Sequence, residues 1–160
     1  MELLEDLPEG WAGDVLVPCG GGGLTSGIAL ALEGSALRVR PVEPEGFDDT
    51  ARSLATGTVQ HNARLDGSVC DAIITPHPGA LTFPIMHRLC GPGLVVSDEQ
   101  ALHAMVLAFR HLRVVLEPGG AVALAAALFT PGLGPQVVVI GSGGNVDEAL
   151  FSAALARFAA

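Results

Sequence analysis

The chain has 160 residues, of which 49% are hydrophobic and 16% charged, which excludes a disordered chain and gives enough length for a real core. Its formal net charge of −9 repels phosphate backbones and anionic lipid, so neither nucleic acid nor membrane is an expected partner. All eight basic residues are arginines, so the chain contains no lysine.

Residues 1–10 read as the end of a helix closed by a turn at Pro8-Glu9-Gly10. Asp14–Cys19 is a short apolar run, read as a buried strand. Four glycines follow, Gly20 to Gly23, and then a helix over Leu24–Glu33 and a strand over Leu37–Val42. Strand, glycine turn, helix and strand make a βαβ unit with a parallel sheet. Asp48–Ala55 reads as a helix, residues 58–70 as a loop, Ala72–Thr75 as a short strand and Leu81–Leu89 as a helix with Pro84 in its first turn. After a strand at Leu94–Val96, Ser97 and Gln100 match a capping box that opens a helix to Arg113. Val114–Leu116 reads as a short extension or strand. Gly120–Phe129 is apolar all round and should be a buried helix. Gln136–Ile140 reads as a buried strand, Gly141–Asn145 as a turn, and Asp147–Phe158 as a closing helix. Alternating strands and helices predict an α/β layered fold, with ligands at the C-terminal ends of the strands, where both glycine turns fall.

The three cysteines, Cys19, Cys70 and Cys90, form no CxxC, so neither a disulfide framework nor a zinc site is indicated, and a reducing cytoplasm is the expected location. The acidic start MELLEDLPEGW lacks the basic and apolar parts of a signal peptide, and no apolar stretch reaches the ~18–20 residues that span a bilayer. No two of the five histidines share a metal-ligating spacing.

Gly20 to Gly23, between a strand and a helix, let backbone amides converge on one point beside a helix N-terminus, where a phosphate is the natural guest. The plainer reading is a tight turn, although four glycines exceed what a turn needs. A P-loop is excluded for want of lysine, and a G-x-G-x-x-G fingerprint meets Thr25 or Ser26 in place of its third glycine. Glu43 nevertheless stands where a ribose-binding acid would, which keeps a dinucleotide site open.

CGGGGL (19–24), VEPEGFDD (42–49), LEPGGAVALAAAL (116–128) and SGGNVD (142–147), in that order, closely resemble the threonine/serine dehydratases, serine racemases and hydroxyaspartate dehydratases. These are pyridoxal-phosphate (PLP) enzymes of fold type II. The resemblance covers nearly the whole chain. It implies a three-layer parallel-sheet fold like the tryptophan synthase β subunit, with residues 1–160 forming the C-terminal part of its large domain. It implies that Gly20, Gly21, Gly22, Gly23 and the amide of Leu24 hold the PLP phosphate, and that Ser142 hydrogen-bonds the pyridine nitrogen. A neutral hydroxyl there makes the ring a weaker electron sink than an aspartate would, which suits β-elimination. The alternative for Ser142 is a turn hydroxyl capping the last helix.

By the same resemblance Glu117 lies near the cofactor, or else fixes local amides, and Ala72 packs near the ring face. Glu43, the carbonyl of Phe47 and Asp49 match a divalent-cation site for Mg²⁺ or Ca²⁺. They read equally as a strand-end acid and helix-capping aspartates.

The Schiff-base lysine of this group has no counterpart here. The resemblance places it in an N-terminal half, together with the substrate-carboxylate loop, and MELLEDL is similar to an internal helix, so Met1 could be an internal methionine. The expectation is therefore a fragment, inactive alone. Its full-length parent is expected to be a homo-oligomeric enzyme that converts threonine or serine to a 2-oxo acid and ammonia. Racemisation of serine, dehydration of 3-hydroxyaspartate and a stand-alone phosphate- or dinucleotide-binding module are the alternatives.

Overall fold

The computed structural model describes residues 2–159; the reading of Met1 lies outside them. Four parallel strands, β1 (Gly13–Pro18), β2 (Leu37–Pro44), β3 (Leu94–Val96) and β4 (Val137–Val139), form one sheet in the order β3-β2-β1-β4. Val15 lies opposite Val39 on one side and Val138 on the other. Among the described residues seven α-helices accompany the sheet: α1 (Glu2–Asp6), α2 (Gly23–Ala31), α3 (Asp49–Thr56), α4 (Thr82–Leu89), α5 (Asp98–Leu107), α6 (Pro118–Phe129) and α7 (Glu148–Arg157).

Alternation along the strands divides the core into two. Leu16, Val42, Leu94 and Val96 pack with α5, α6 and α7, while Val15, Val17 and Val39 pack with Ala29 and Leu32 at the α2 layer. Buried apolar side chains on both faces make the three layers expected of a parallel sheet. α6 is apolar all round because its first six residues, along with Ala125 and Ala126, are buried between the sheet and α5.

The capping box of α5 is present: Gln100 N donates to Ser97 Oγ at 3.2 Å and Ser97 N donates to Gln100 Oε1 at 2.9 Å. α5 then widens into a π-helical turn over Ala108–Leu112, and Arg113 ends it at φ 61°. That left-handed exit sends Val114–Leu116 away as irregular chain, neither helix nor strand. The strand expected at Ala72–Thr75 is instead a 3₁₀ turn at Asp71–Ile73. There Ile73 N donates to the Cys70 carbonyl, and the Thr75 carbonyl accepts the Asn62 side chain in place of a ladder partner. β4 is half-buried rather than buried, because it is an edge strand paired only with β1.

β2 lies on one side of β1 and β4 on the other, so the chain reverses its direction across the sheet between β1 and β4. Ligands of open parallel sheets bind at such a switch point, outside the C-terminal strand ends. Both glycine turns are there. No helix among the described residues is long and apolar enough to cross a membrane.

Candidate functional site

The ladder of β1 ends with Cys19 N donating to the Val42 carbonyl at 3.0 Å. The four glycines then divide into two kinds. A Cβ at Gly20 would lie 2.8 Å from the Ile73 carbonyl oxygen, and one at Gly22 would strike the Met86 side chain. Gly22 also has φ +88°, where a side chain is strained. These two glycines satisfy close packing behind the loop. Gly21 and Gly23 do not: the nearest atom to a Cβ at Gly21 is the Thr75 methyl at 3.9 Å, and a Cβ at Gly23 meets nothing within 4 Å. A tight turn explains the first pair and leaves the second pair unexplained.

Gly22 is the N-cap of α2, which has no side-chain cap. Among the described residues no acceptor in the chain takes the amides of Gly20, Gly21, Gly22, Gly23 or Leu24. Uncapped helix-terminal donors beside a glycine surface with open space in front suit an anion with several oxygens. The donor set therefore fits the phosphate of PLP. Behind the loop, the Gly21 carbonyl accepts Gly79 N at 3.0 Å and Thr82 Oγ1 at 2.5 Å. In the sequence Gly79 reads only as part of a turn with Pro76, His77 and Pro78, and Thr82 is marked by nothing more than a G-x-x-T spacing at the mouth of α4.

The second turn follows β4. A Cβ at Gly120 would lie 2.5 Å from the Gly143 carbonyl oxygen, one at Gly144 would lie 2.7 Å from that of Val115, and Glu117 N donates to Gly143 O at 2.9 Å. The turn is thus pressed onto the start of α6. Ser142 is exposed on it, and its hydroxyl has no partner among the described residues. Nor does it cap the last helix: Asp147 does so, its Oδ1 accepting Leu150 N at 3.0 Å. Glu117 is half-buried at the N-cap of α6, but its carboxylate makes no capping bond and lies beside the Cα of Gly143. The local-amide reading of Glu117 is therefore not met.

The two turns are joined through the 3₁₀ turn. Ile73 touches the Gly20 position and also that of Gly119, where Ala72 comes within 3.8 Å of a built Cβ. Asp71, Glu117, Asn145 and Asp147 line an open cleft of about 290 Å³ beside it.

The cation expected at Glu43, Phe47 and Asp49 finds no support among the described residues. Glu43 is 1% exposed, and its two oxygens accept Thr50 N at 2.9 Å and Ala51 N at 2.7 Å. The carboxylate is committed to the first turn of α3. Burial pushes Glu43 up to about 8, against the pull of those two amides. Asp49, raised by burial, accepts Asn62 Nδ2 at 2.5 Å on Oδ1. Phe47 is buried and its amide closes a turn on Pro44. No group of three or more His, Cys, Asp or Glu side chains among the described residues could hold a metal. The same commitment removes Glu43 as a ribose ligand, and with it the argument for a dinucleotide.

Comparisons with known proteins bear on the family. The family described as pyridoxal-phosphate dependent enzyme matches residues 1–143. A serine racemase of Oryza sativa subsp. indica is 37% identical over 160 residues, covering 92% of this chain and 45% of that protein. An L-threo-3-hydroxyaspartate ammonia-lyase of Saccharomyces cerevisiae is 35% identical, covering 91% of this chain and 45% of that protein. A solved threonine deaminase from T.th. superposes with a TM-score of 0.81 at 38% identity, over 86% of this chain and 51% of that one. The chain spans about half the length of the curated relatives it matches. With a parallel sheet, an open glycine cradle at its switch point and these likenesses, the chain belongs to the family of pyridoxal-phosphate-dependent enzymes.

Proposed function

We propose that this chain is the cofactor-phosphate-binding part of a lyase that removes ammonia from threonine or serine by β-elimination. The observation that carries the reading is the row of amides from Gly20 to Leu24, which have no acceptor among the described residues, at the N-terminus of α2 beside the open space at Gly21 and Gly23. Bound PLP supplies the electron sink that loosens bonds at the amino-acid Cα. The chain's own residues hold it: the Gly20–Leu24 amides and the α2 dipole bind the phosphate dianion. Ser142, with a free hydroxyl at the end of the neighbouring strand, is assigned to the pyridine nitrogen. Glu117 and Ala72 border the same end of the sheet.

The amine that links the cofactor to an enzyme of this group must come from outside these residues, because the chain has no lysine. We place it, with the contacts to the substrate carboxylate, in a further N-terminal segment. Residues 1–160 are then the C-terminal part of the PLP-binding large domain, in a parent that works as a cytoplasmic homo-oligomer. The three free thiols, two of them buried, accord with a reducing compartment. The racemase and hydroxyaspartate ammonia-lyase among the relatives favour a second reading, in which the parent acts on serine by racemisation or on 3-hydroxyaspartate.

The test is calorimetric titration of the 160-residue chain with PLP, inorganic phosphate, NAD and ATP. PLP binding in competition with phosphate is expected, with no deamination of serine or threonine by the chain alone. NAD binding without a response to PLP would replace this reading with a nucleotide-binding module.

A further inference from the structure

We infer that Thr82 is a positioning residue for the phosphate cradle, acting through the Gly21–Gly22 peptide; the inference rests on the cofactor-phosphate reading above. A trans peptide is planar, so its carbonyl and its N–H point in opposite directions. The Gly21 carbonyl is held toward the start of α4 by two donors, Gly79 N at 3.0 Å and Thr82 Oγ1 at 2.5 Å. The amide of Gly22 is thereby aimed the other way, out of the loop on the side opposite α4. A peptide between two glycines flips cheaply, because neither residue has a Cβ to oppose the rotation. A flipped peptide would turn a carbonyl oxygen toward the anion in place of a donor. The glycines that open the cradle therefore cannot hold its direction by themselves, and α4 does so from behind.

The surroundings of Thr82 support this assignment. Its hydroxyl has one proton and two carbonyls in reach, Gly21 at 2.5 Å and Gly79 at 3.1 Å, so the shorter bond takes the proton. A Cβ at Gly79 would lie 2.9 Å from Thr82 Oγ1 and 3.2 Å from the Gly21 carbonyl oxygen, so a glycine there lets the two loops approach. One turn further along α4, Met86 is fully buried and fills the space behind Gly22. Gly79, Thr82 and Met86 are consecutive contacts of one brace.

Thr82→Val removes the hydroxyl at nearly constant volume, and Thr82→Ser keeps it. On the 160-residue chain, Thr82→Val is expected to raise the Kd for both inorganic phosphate and PLP by about five- to tenfold, with Thr82→Ser within about twofold of wild type. Unchanged affinity in Thr82→Val overturns the inference, and so does a serine variant as weak as the valine one. A measurement on the wild-type chain covers the case of a valine variant that does not fold. In an amide ¹H–¹⁵N spectrum, inorganic phosphate must shift the Gly22 resonance along with those of Gly23 and Leu24. Shifts at Gly23 and Leu24 with Gly22 unmoved overturn the inference while leaving the cradle in place. A wild-type chain that binds neither probe removes the cradle and the inference together.

Discussion

Glu43 and Thr50 are joined by a bond from a backbone amide at the mouth of α3 to a carboxylate at the end of β2, 2.9 Å long and fully buried. The second oxygen takes the next amide, that of Ala51, so one side chain caps a helix seven residues downstream. The burial of this carboxylate makes stability depend on pH. Burial holds Glu43 at about 8 in the folded chain against 4.5 for an ordinary glutamate. Between those values the folded state keeps a proton that the unfolded state has released. The stability contribution is thus complete below pH 4.5 and is lost as pH rises through 8. The difference in unfolding free energy between wild type and Glu43→Gln is expected to fall steadily from about pH 5 to about pH 8 in urea titrations. A flat difference would show that the carboxylate is ionised throughout.

Gly22 and Gly23 are neighbours with opposite requirements. Gly22→Ala places a Cβ at positive φ and against Met86, and should cost about 2–4 kcal/mol of stability in denaturant titration. Gly23→Ala meets no atom within 4 Å and should leave the melting transition in place. If the phosphate occupies that open space, the Kd for PLP should rise about tenfold, a cost of about 1.4 kcal/mol.

Ser142→Ala removes a hydroxyl that is exposed and makes no bond within the described chain. Stability should stay within about 0.5 kcal/mol of wild type. If Ser142 meets the pyridine nitrogen, affinity for PLP falls while affinity for inorganic phosphate, which has no ring, does not. Equal affinities for both ligands in the variant and wild type would remove Ser142 from the site.

Asp147 caps α7 through Leu150 N at 3.0 Å. Asp147→Ala should cost about 1 kcal/mol, read as a lower urea midpoint with an unchanged slope. A negligible cost would mean that water replaces the cap fully.

The sequence made the parallel sheet legible because its strands are short apolar runs and its turns are marked by glycine. The capping box at Ser97 and the helix over Gly120–Phe129 are equally plain, since each depends on residues near each other in the chain, although that helix is buried only as far as Ala126. The resemblance carried by Gly20 to Gly23 and by Ser142 pointed to the cofactor family. Three features depended on partners far away in sequence. Ala72 to Thr75 looked like a strand by composition, but no ladder neighbour exists for it, and Asn62 takes its carbonyl at Thr75. Glu43 and Asp49 have the chemistry of cation ligands, and only the fold shows that Thr50 and Ala51 take both oxygens of Glu43 while Asn62 takes one of Asp49. Thr82 stands sixty-one positions from the carbonyl that it holds, beyond any local pattern.

β4 ends the sheet with Val137 to Val139, pairing with β1 along one side only. Three consecutive valines with one side of their backbone unpaired form a template, because an extended chain of any origin can add to it by main-chain bonds without regard to sequence. Neither charge nor proline interrupts those three residues to discourage such addition. Association of the chain at this edge is therefore expected to rise with its concentration. Handling at low concentration, with turbidity followed against time, separates loss of the fold from simple accretion of strands at this one seam.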